Sequence, residues 1–261
     1  MAAALLDRGE LSAALRMTRR GLENLSREQN PTASAVAVTW LGDAVVATKV
    51  GDFNRAANAL AQAQVAAQDV PLVEDEMRFS SYHRAHAIYL LSIGDAAGAL
   101  DACERTRSIE YVTHVPAQQR ASTLLMCAKA LLALGEVQHA SESAQDAWAA
   151  VKSVQGIMRH VYVPYREALA EVLLVQQRPY EALAEIEAGR QDFDSVQVLD
   201  NRLAHLDFLE AKARWLIDES RAGKVLAREL AKKSLERYRD WDLGGQRELR
   251  EVRSWLATHR I

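Results

Sequence analysis

The sequence predicts an all-α protein, an array of about six helix-turn-helix units closed by one further helix. Three observations predict it. Small residues recur in pairs with a period near 42 residues; a glycine and an acidic residue stand between the members of most pairs; and the segments on either side carry apolar residues at helical rather than alternating spacing.

The second members of the pairs are Ala14, Ala56, Ala99, Ala140, Ala182 and Gly223, with steps of 42, 43, 41, 42 and 41. Twelve residues before each stands Ala2, Ala44, Ala87, Ala128, Ala170 or Ala211. An alanine on each of two neighbouring helices permits a close backbone approach that a larger side chain would block. Between them lie Gly9-Glu10, Gly51-Asp52, Gly94-Asp95 and Gly135-Glu136, and then, in the fifth and sixth units, Gln177-Arg178 and Asp218-Glu219. Glycine enters the left-handed conformation that ends a first helix. An acidic residue at the start of the next complements its partial positive charge, worth ~0.3 to 1 kcal/mol. Leu124, Cys127, Ala128, Leu131 and Leu132 illustrate the apolar face of one such helix.

The units run over about 1–30, 31–73, 74–115, 116–157, 158–198 and 199–240, with breakers at Pro31, Pro71 and Pro116. Gly244-Gly245 ends the last unit. A capping helix over 246–259 follows, with Leu249, Val252 and Leu256 on one face, because the final unit would otherwise expose its apolar side. The helix that holds Ala2 lacks its first turn or more, whereas its counterpart begins several residues before Trp40. The expectation is that the chain is the C-terminal portion of a longer protein; a short first helix is the alternative.

Composition narrows the function. Hydrophobic residues make up 49% of the 261, enough for a continuous core, and 32 basic against 35 acidic side chains leave a net charge of −3. No overall field favours nucleic acid or an anionic membrane. The opening MAAALLDRGE has too short an apolar run for a signal peptide, and no window is expected to approach the ~18 apolar residues of a membrane span. Cys103 and Cys127 belong to no CxxC or Cys/His spacing and fall at inward-facing positions of adjacent helices. They are expected to be core thiols, which places the chain in a reducing, cytoplasmic compartment.

Gly51-Asp52-Phe53 with Ala56 and Ala63, Trp40 in the preceding helix, and the small residue Ala44 make the chain similar to the tetratricopeptide repeat family. The third and fourth copies match at the small positions but carry His83 and Leu124 in place of the tryptophan. Six in-phase copies extend the resemblance to about Arg237. The family's usual unit is about 34 residues. Longer units like these resemble those of kinesin light chains and of large bacterial signalling proteins, and the alanine-rich style is closer to the bacterial ones.

The resemblance implies a right-handed α-solenoid whose first helices line a concave groove. Carried over residue by residue, the groove positions are Leu41, Val45 and Lys49; Arg84, Ile88 and Leu91; Leu125, Lys129 and Leu132; Glu167, Glu171 and Leu174; and Phe208, Lys212 and Trp215. This mixture suits an amphipathic helix or peptide with apolar anchors and charged flanks. The implied role is a non-catalytic scaffold, adaptor or regulatory domain of a signalling protein. The alternative is a sensory domain that binds a small molecule or a signal peptide, with Arg84, Lys129 and Glu171 as its polar contacts.

Other chemistries find little footing. His83 and His86 stand three apart without a third ligand nearby in sequence, so neither a metal nor a cofactor is expected. Nucleophile elbows, phosphate-cradling glycine loops and HExxH are absent from the sequence, and no catalytic residue is expected. Residues 224–260 hold ten basic and six acidic side chains, but Glu229 with Lys233 and Arg247 with Glu251 are spaced for pairing along a helix, not for a phosphate-binding stripe. The expected partner is a protein or peptide, including a domain of the same longer chain, with self-association through the end repeats as a further expectation.

Overall fold

Residues 11–68, 72–113, 115–193, 200–239 and 246–261 are described by the computed structural model. Among them every regular element is helical: α1 (Leu11–Arg27), α2 (Ala33–Val50), α3 (Phe53–Gln68), α4 (Leu72–Ile93), α5 (Ala96–Thr113), α6 (Ala117–Ala133), α7 (Val137–Lys152), α8 (Val163–Val175), α9 (Pro179–Gln191), α10 (Asp200–Ile217), α11 (Arg221–Arg239) and α12 (Gln246–Thr258). A short 3-10 turn, Arg159–Tyr162, leads into α8. The helices follow in order as α2/α3, α4/α5, α6/α7, α8/α9, α10/α11 and α12, with α4 starting at Leu72, two residues before the boundary expected at 74. Ala2, Gly9-Glu10, Pro71 and Gly244-Gly245 lie outside the described residues.

The turns explain the repeated letters. Gly51, Gly94 and Gly135 have φ of +82°, +89° and +82°, a region that costs other L residues roughly 1 to 2 kcal/mol. The amides of Asp52 and Asp95 then donate to the carbonyls of Ala47 and Leu90, both at 2.9 Å, closing the ends of α2 and α4. Each aspartate also caps the next helix: Asp52 Oδ1 accepts from the Arg55 amide at 3.1 Å, and Asp95 Oδ1 from the Gly98 amide at 2.9 Å. Glu136 makes no such side-chain cap. In the turn from α8 to α9 the Arg178 amide donates to the Leu173 carbonyl at 2.9 Å, yet the left-handed residue is Gln177, at φ +59°.

The paired small residues sit at the helix contacts. Ala44, Ala56, Ala87, Ala99, Ala128, Ala140, Ala170, Ala182 and Ala211 are all buried. The chain gathers into two compact units, Met1–Leu134 and Gly135–Ile261. In the first, each of α1 to α5 packs on its successor, and α2 also meets α4, as α4 meets α6. A core of Leu41, Ala44, Ala59, Leu60, Ala63 and Ala85 lies between α2, α3 and α4. In the second unit, α7 to α11 each pack on the next helix and α8 also meets α10. Its two cores centre on Ile186, Leu206 and Leu209, and on Phe208, Tyr238, Leu249 and Val252.

Two sequence expectations are corrected here. Cys103 on α5 and Cys127 on α6 form a disulfide, with Cα atoms 5.7 Å apart and both side chains fully buried. The two inward-facing positions meet across the helix pair, a relation that spacing along the chain does not express. With the thiols paired, cysteine usage no longer favours a reducing compartment. The other correction concerns α2, which at 18 residues is long and apolar enough to cross a membrane by length and composition. It nevertheless carries buried Asp43, gripped by Arg55 of α3 through Nε at 2.9 Å and Nη2. It packs against α1, α3 and α4, and 39% of it is buried inside the protein.

Buried ion pairs tie the second unit together. Asp192 accepts from Arg159 at 3.1 Å and from Arg166 at 2.7 Å, while Arg166 also reaches Glu185 at 2.8 Å. Fully buried Asp207 of α10 pairs with Arg190 of α9 at 2.7 Å and with Arg237 of α11 at 3.3 Å. Arg166 also stacks 4.4 Å from the centre of the Trp148 ring. One carboxylate thus joins three successive helices.

Candidate binding surfaces

In the first unit the groove positions separate by depth. Leu41 is buried within the core, Val45 packs against that core, and Lys49 is exposed at the last turn of α2. Leu41 is therefore corrected from groove residue to core residue: α3 and α4 close over it. On α4, Arg84 is half-buried, lies 3.8 Å from Glu110 of α5 and donates to Ser81 Oγ at 3.3 Å. Ile88 is half-buried against Ala87, Ala102 and Met126. Leu91 on α4, with Leu125, Lys129 and Leu132 on α6, is half-buried as well. The helices α4 and α6 that carry these half-buried positions pack on one another.

The same helix α4 carries an aromatic and imidazole group. Tyr82 lies 5.4 Å from His83 and 5.7 Å from His86, and the His86 and Tyr89 rings stack at 6.4 Å. Burial, the largest influence, lowers the pKa of both histidines from 6.5 and raises that of Tyr82. Among the described residues no group of three His, Cys, Asp or Glu side chains is arranged to hold a metal.

The second unit treats its groove positions differently. Glu167 and Leu174 of α8 and Phe208 of α10 are buried, the last beneath the edge of Trp255 with ring centres 6.0 Å apart. All three are corrected from groove to interior, Leu174 because it joins the core with Ile186, Leu206 and Leu209 and Phe208 because α12 covers it. Glu171 holds His205 Nε2 at 2.9 Å, and Lys212 reaches across to Glu251 of α12 at 2.7 Å. Trp215 meets Trp255 at 5.5 Å and His259 at 4.9 Å, while Trp255 and His259 stack at 4.2 Å.

These contacts leave an open cleft of about 390 Å³ lined by Leu174, Val175, Gln177, Lys212, Trp215, Leu216, Trp255 and His259. Leu174, Lys212 and Trp215 were among the sequence-derived groove positions; the other five were not. Trp255 and His259 come from the cap, whose sequence signals only its own apolar face. Gln177 was visible as the break in the glycine pattern. A smaller recess of about 270 Å³ in the first unit, lined by Pro31, Ala33, Val36, Gln62, Val65 and Ala66, carries no charged group. In comparisons with known proteins, no family model matches the sequence and no curated protein matches it.

Proposed function

We propose that this chain is a non-catalytic protein interaction module, built as a tetratricopeptide-like α-solenoid that holds a partner peptide or helix against its first helices and so assembles or regulates a signalling complex. The repeat reading is supported by the buried small-residue pairs and by the way successive helix pairs pack within each unit. The observation that carries the binding role is the set of half-buried positions on α4 and α6. Ile88, Leu91, Leu125 and Leu132 are only half-buried, whereas the paired small residues are buried almost completely, and Arg84 and Lys129 stand on the same two helices. Apolar surface rimmed by charge is the usual mark of a contact site.

The test is capture of partners from the source cell lysate by wild type and by an Ile88→Asp/Leu125→Asp variant. Leu41 is left alone because it belongs to the core. The reading expects partners that wild type retains and the variant loses, with the helical circular dichroism of the two proteins superimposable. Identical capture by both would refute these positions as the binding surface.

A further inference from the structure

Helix α1 presents one side to the protein and a different one to solvent. Leu11, Ala14 and Thr18 are buried, and the helix packs on α2. Gly21 comes so near to that neighbour that a Cβ there would lie 3.2 Å from Thr39 Cγ2. On the other side Arg16, Arg19, Arg20 and Arg27 are all exposed, as is Glu23. At 3.6 residues per turn these five charges fall on one face about 100° wide.

The four guanidiniums lack what the neighbouring helices supply. Arg55, Arg84, Arg105 and Arg107 of the same unit are each paired with a carboxylate. Among the described residues none of the α1 arginines is, although Glu23 stands four residues from both Arg19 and Arg27. Four arginines and one glutamate leave the face at +3, in a chain whose net charge is −3.

Its makeup narrows what it can meet. Every cation on the face is arginine, whose planar fork gives two parallel hydrogen bonds to a carboxylate or phosphate, whereas the surface potential of an anionic membrane attracts lysine equally well. Glu23 lies among the arginines, so a tract of phosphates would set like charge against it, while a protein segment can place a basic residue there. Half-buried Leu15 and Leu22 border the face on the Arg19 side, and a phosphodiester backbone has no apolar group to cover them. A second copy of α1 would bring the same +3 and be repelled.

We infer that this face docks an acidic helical segment of a partner protein: carboxylates of the segment take Arg16, Arg20 and Arg27, a basic residue takes Glu23, and apolar side chains rest on Leu15 and Leu22. Arg16, Arg20 and Arg27 follow one another at about 6 and 10.5 Å along the axis. A parallel helix matches them with carboxylates at i, i+4 and i+11 and its basic residue at i+7; an antiparallel one matches in the reverse order. The contact goes beyond the α4 and α6 positions and uses none of them.

The experiment is fluorescence anisotropy with the full chain and fluorescein-labelled, alanine-based helical peptides. Two carry the matching charges and adjacent leucines in the two chain orders; a third has the same composition with the charges spread around the helix. The better ordered peptide should bind at least about tenfold more tightly than the third. Arg16→Gln/Arg20→Gln/Arg27→Gln should weaken it roughly tenfold to a hundredfold, from about two- to fivefold for each exposed pair, with unchanged circular dichroism. Replacing the peptide's lysine by glutamate should weaken binding to wild type, although it makes the peptide more acidic, and Glu23→Lys should reverse that preference. Equal binding of ordered and spread peptides overturns the assignment, as does full binding by the triple variant or tighter binding of the more acidic peptide by wild type. Tighter binding of a thymidine oligonucleotide or of phosphatidylserine vesicles than of either ordered peptide would also overturn it, giving the face to phosphates. Ile88→Asp/Leu125→Asp should bind the ordered peptide as wild type does, so the α1 contact and the α4 and α6 surface stand or fall separately.

Discussion

Opening the Cys103–Cys127 bond should loosen the first unit and leave the second unchanged. The two residues are 24 apart in sequence, and a cross-link closing a loop of that size lowers the entropy of the unfolded chain by an amount worth about 3.5 kcal/mol at 25 °C in the chain-entropy model. At a urea sensitivity of about 1 to 3 kcal/mol per molar, this moves an unfolding midpoint by roughly 1 to 3.5 M. Because both helices lie within Met1–Leu134, the loss should be confined to that unit. Amide hydrogen exchange, measured with and without reductant and on a Cys103→Ala/Cys127→Ala variant, reads the two units separately. The expected result is lower protection over α5 and α6 with unchanged protection over α8 to α11. A change of less than about 1 kcal/mol in α5 and α6 would refute the entropic reasoning, because typical disulfides contribute 2 to 4 kcal/mol.

Two further outcomes test the packing and the electrostatics. Ala128→Leu forces a larger side chain into a fully packed helix contact and should lower stability by about 1 to 3 kcal/mol, read from the urea midpoint; no change would show that α6 does not make the close approach described. His83 and His86 are held neutral by burial, with pKa values below the 6.5 of the unfolded chain. Protons are therefore taken up first by the unfolded state as pH falls, so stability is complete above about pH 6.5 and declines until the folded-state pKa values are passed. A Tm profile that falls through this window, and flattens in His83→Gln/His86→Gln, is the expected result. A profile unchanged by the double substitution would refute the assignment.

Much of the helical layout could be read from the sequence because it depends on local rules. A left-handed turn needs Gly51, Gly94 or Gly135, a helix start favours Asp52 or Asp95, and a close crossing needs alanine on both sides. Depth was less legible. Leu41, Glu167, Leu174 and Phe208 occupy positions that repeat spacing assigns to a groove, but burial depends on what the next helix covers, and Phe208 is covered by Trp255 from the cap. The cysteine pairing was hidden for the same reason, since Cys103 and Cys127 belong to different helices and only their packing brings them together. The aromatic cleft needs residues from α8, α10 and α12 simultaneously. Its sequence traces were Leu174, Lys212 and Trp215 at groove positions and a glutamine standing where earlier copies keep glycine.

The buried carboxylates bear on how an alanine-rich repetitive chain avoids joining the wrong neighbours. Helices that meet through small side chains present nearly interchangeable faces, so a hairpin from one copy can dock against another, or against the same hairpin of a second molecule, with little loss of contact. Asp207 is different from its equivalents in the other copies: it requires Arg190 from the helix before it and Arg237 from the helix after it. Asp43 likewise demands Arg55, and Asp192 demands Arg159 and Arg166. A mispaired hairpin would strand one of these charges in the interior, at a cost of about 3 to 5 kcal/mol. The ion pairs thus act as keys that distinguish otherwise similar helices, and neutralising them should increase domain-swapped and aggregated species during refolding more than it lowers the stability of the correctly folded chain.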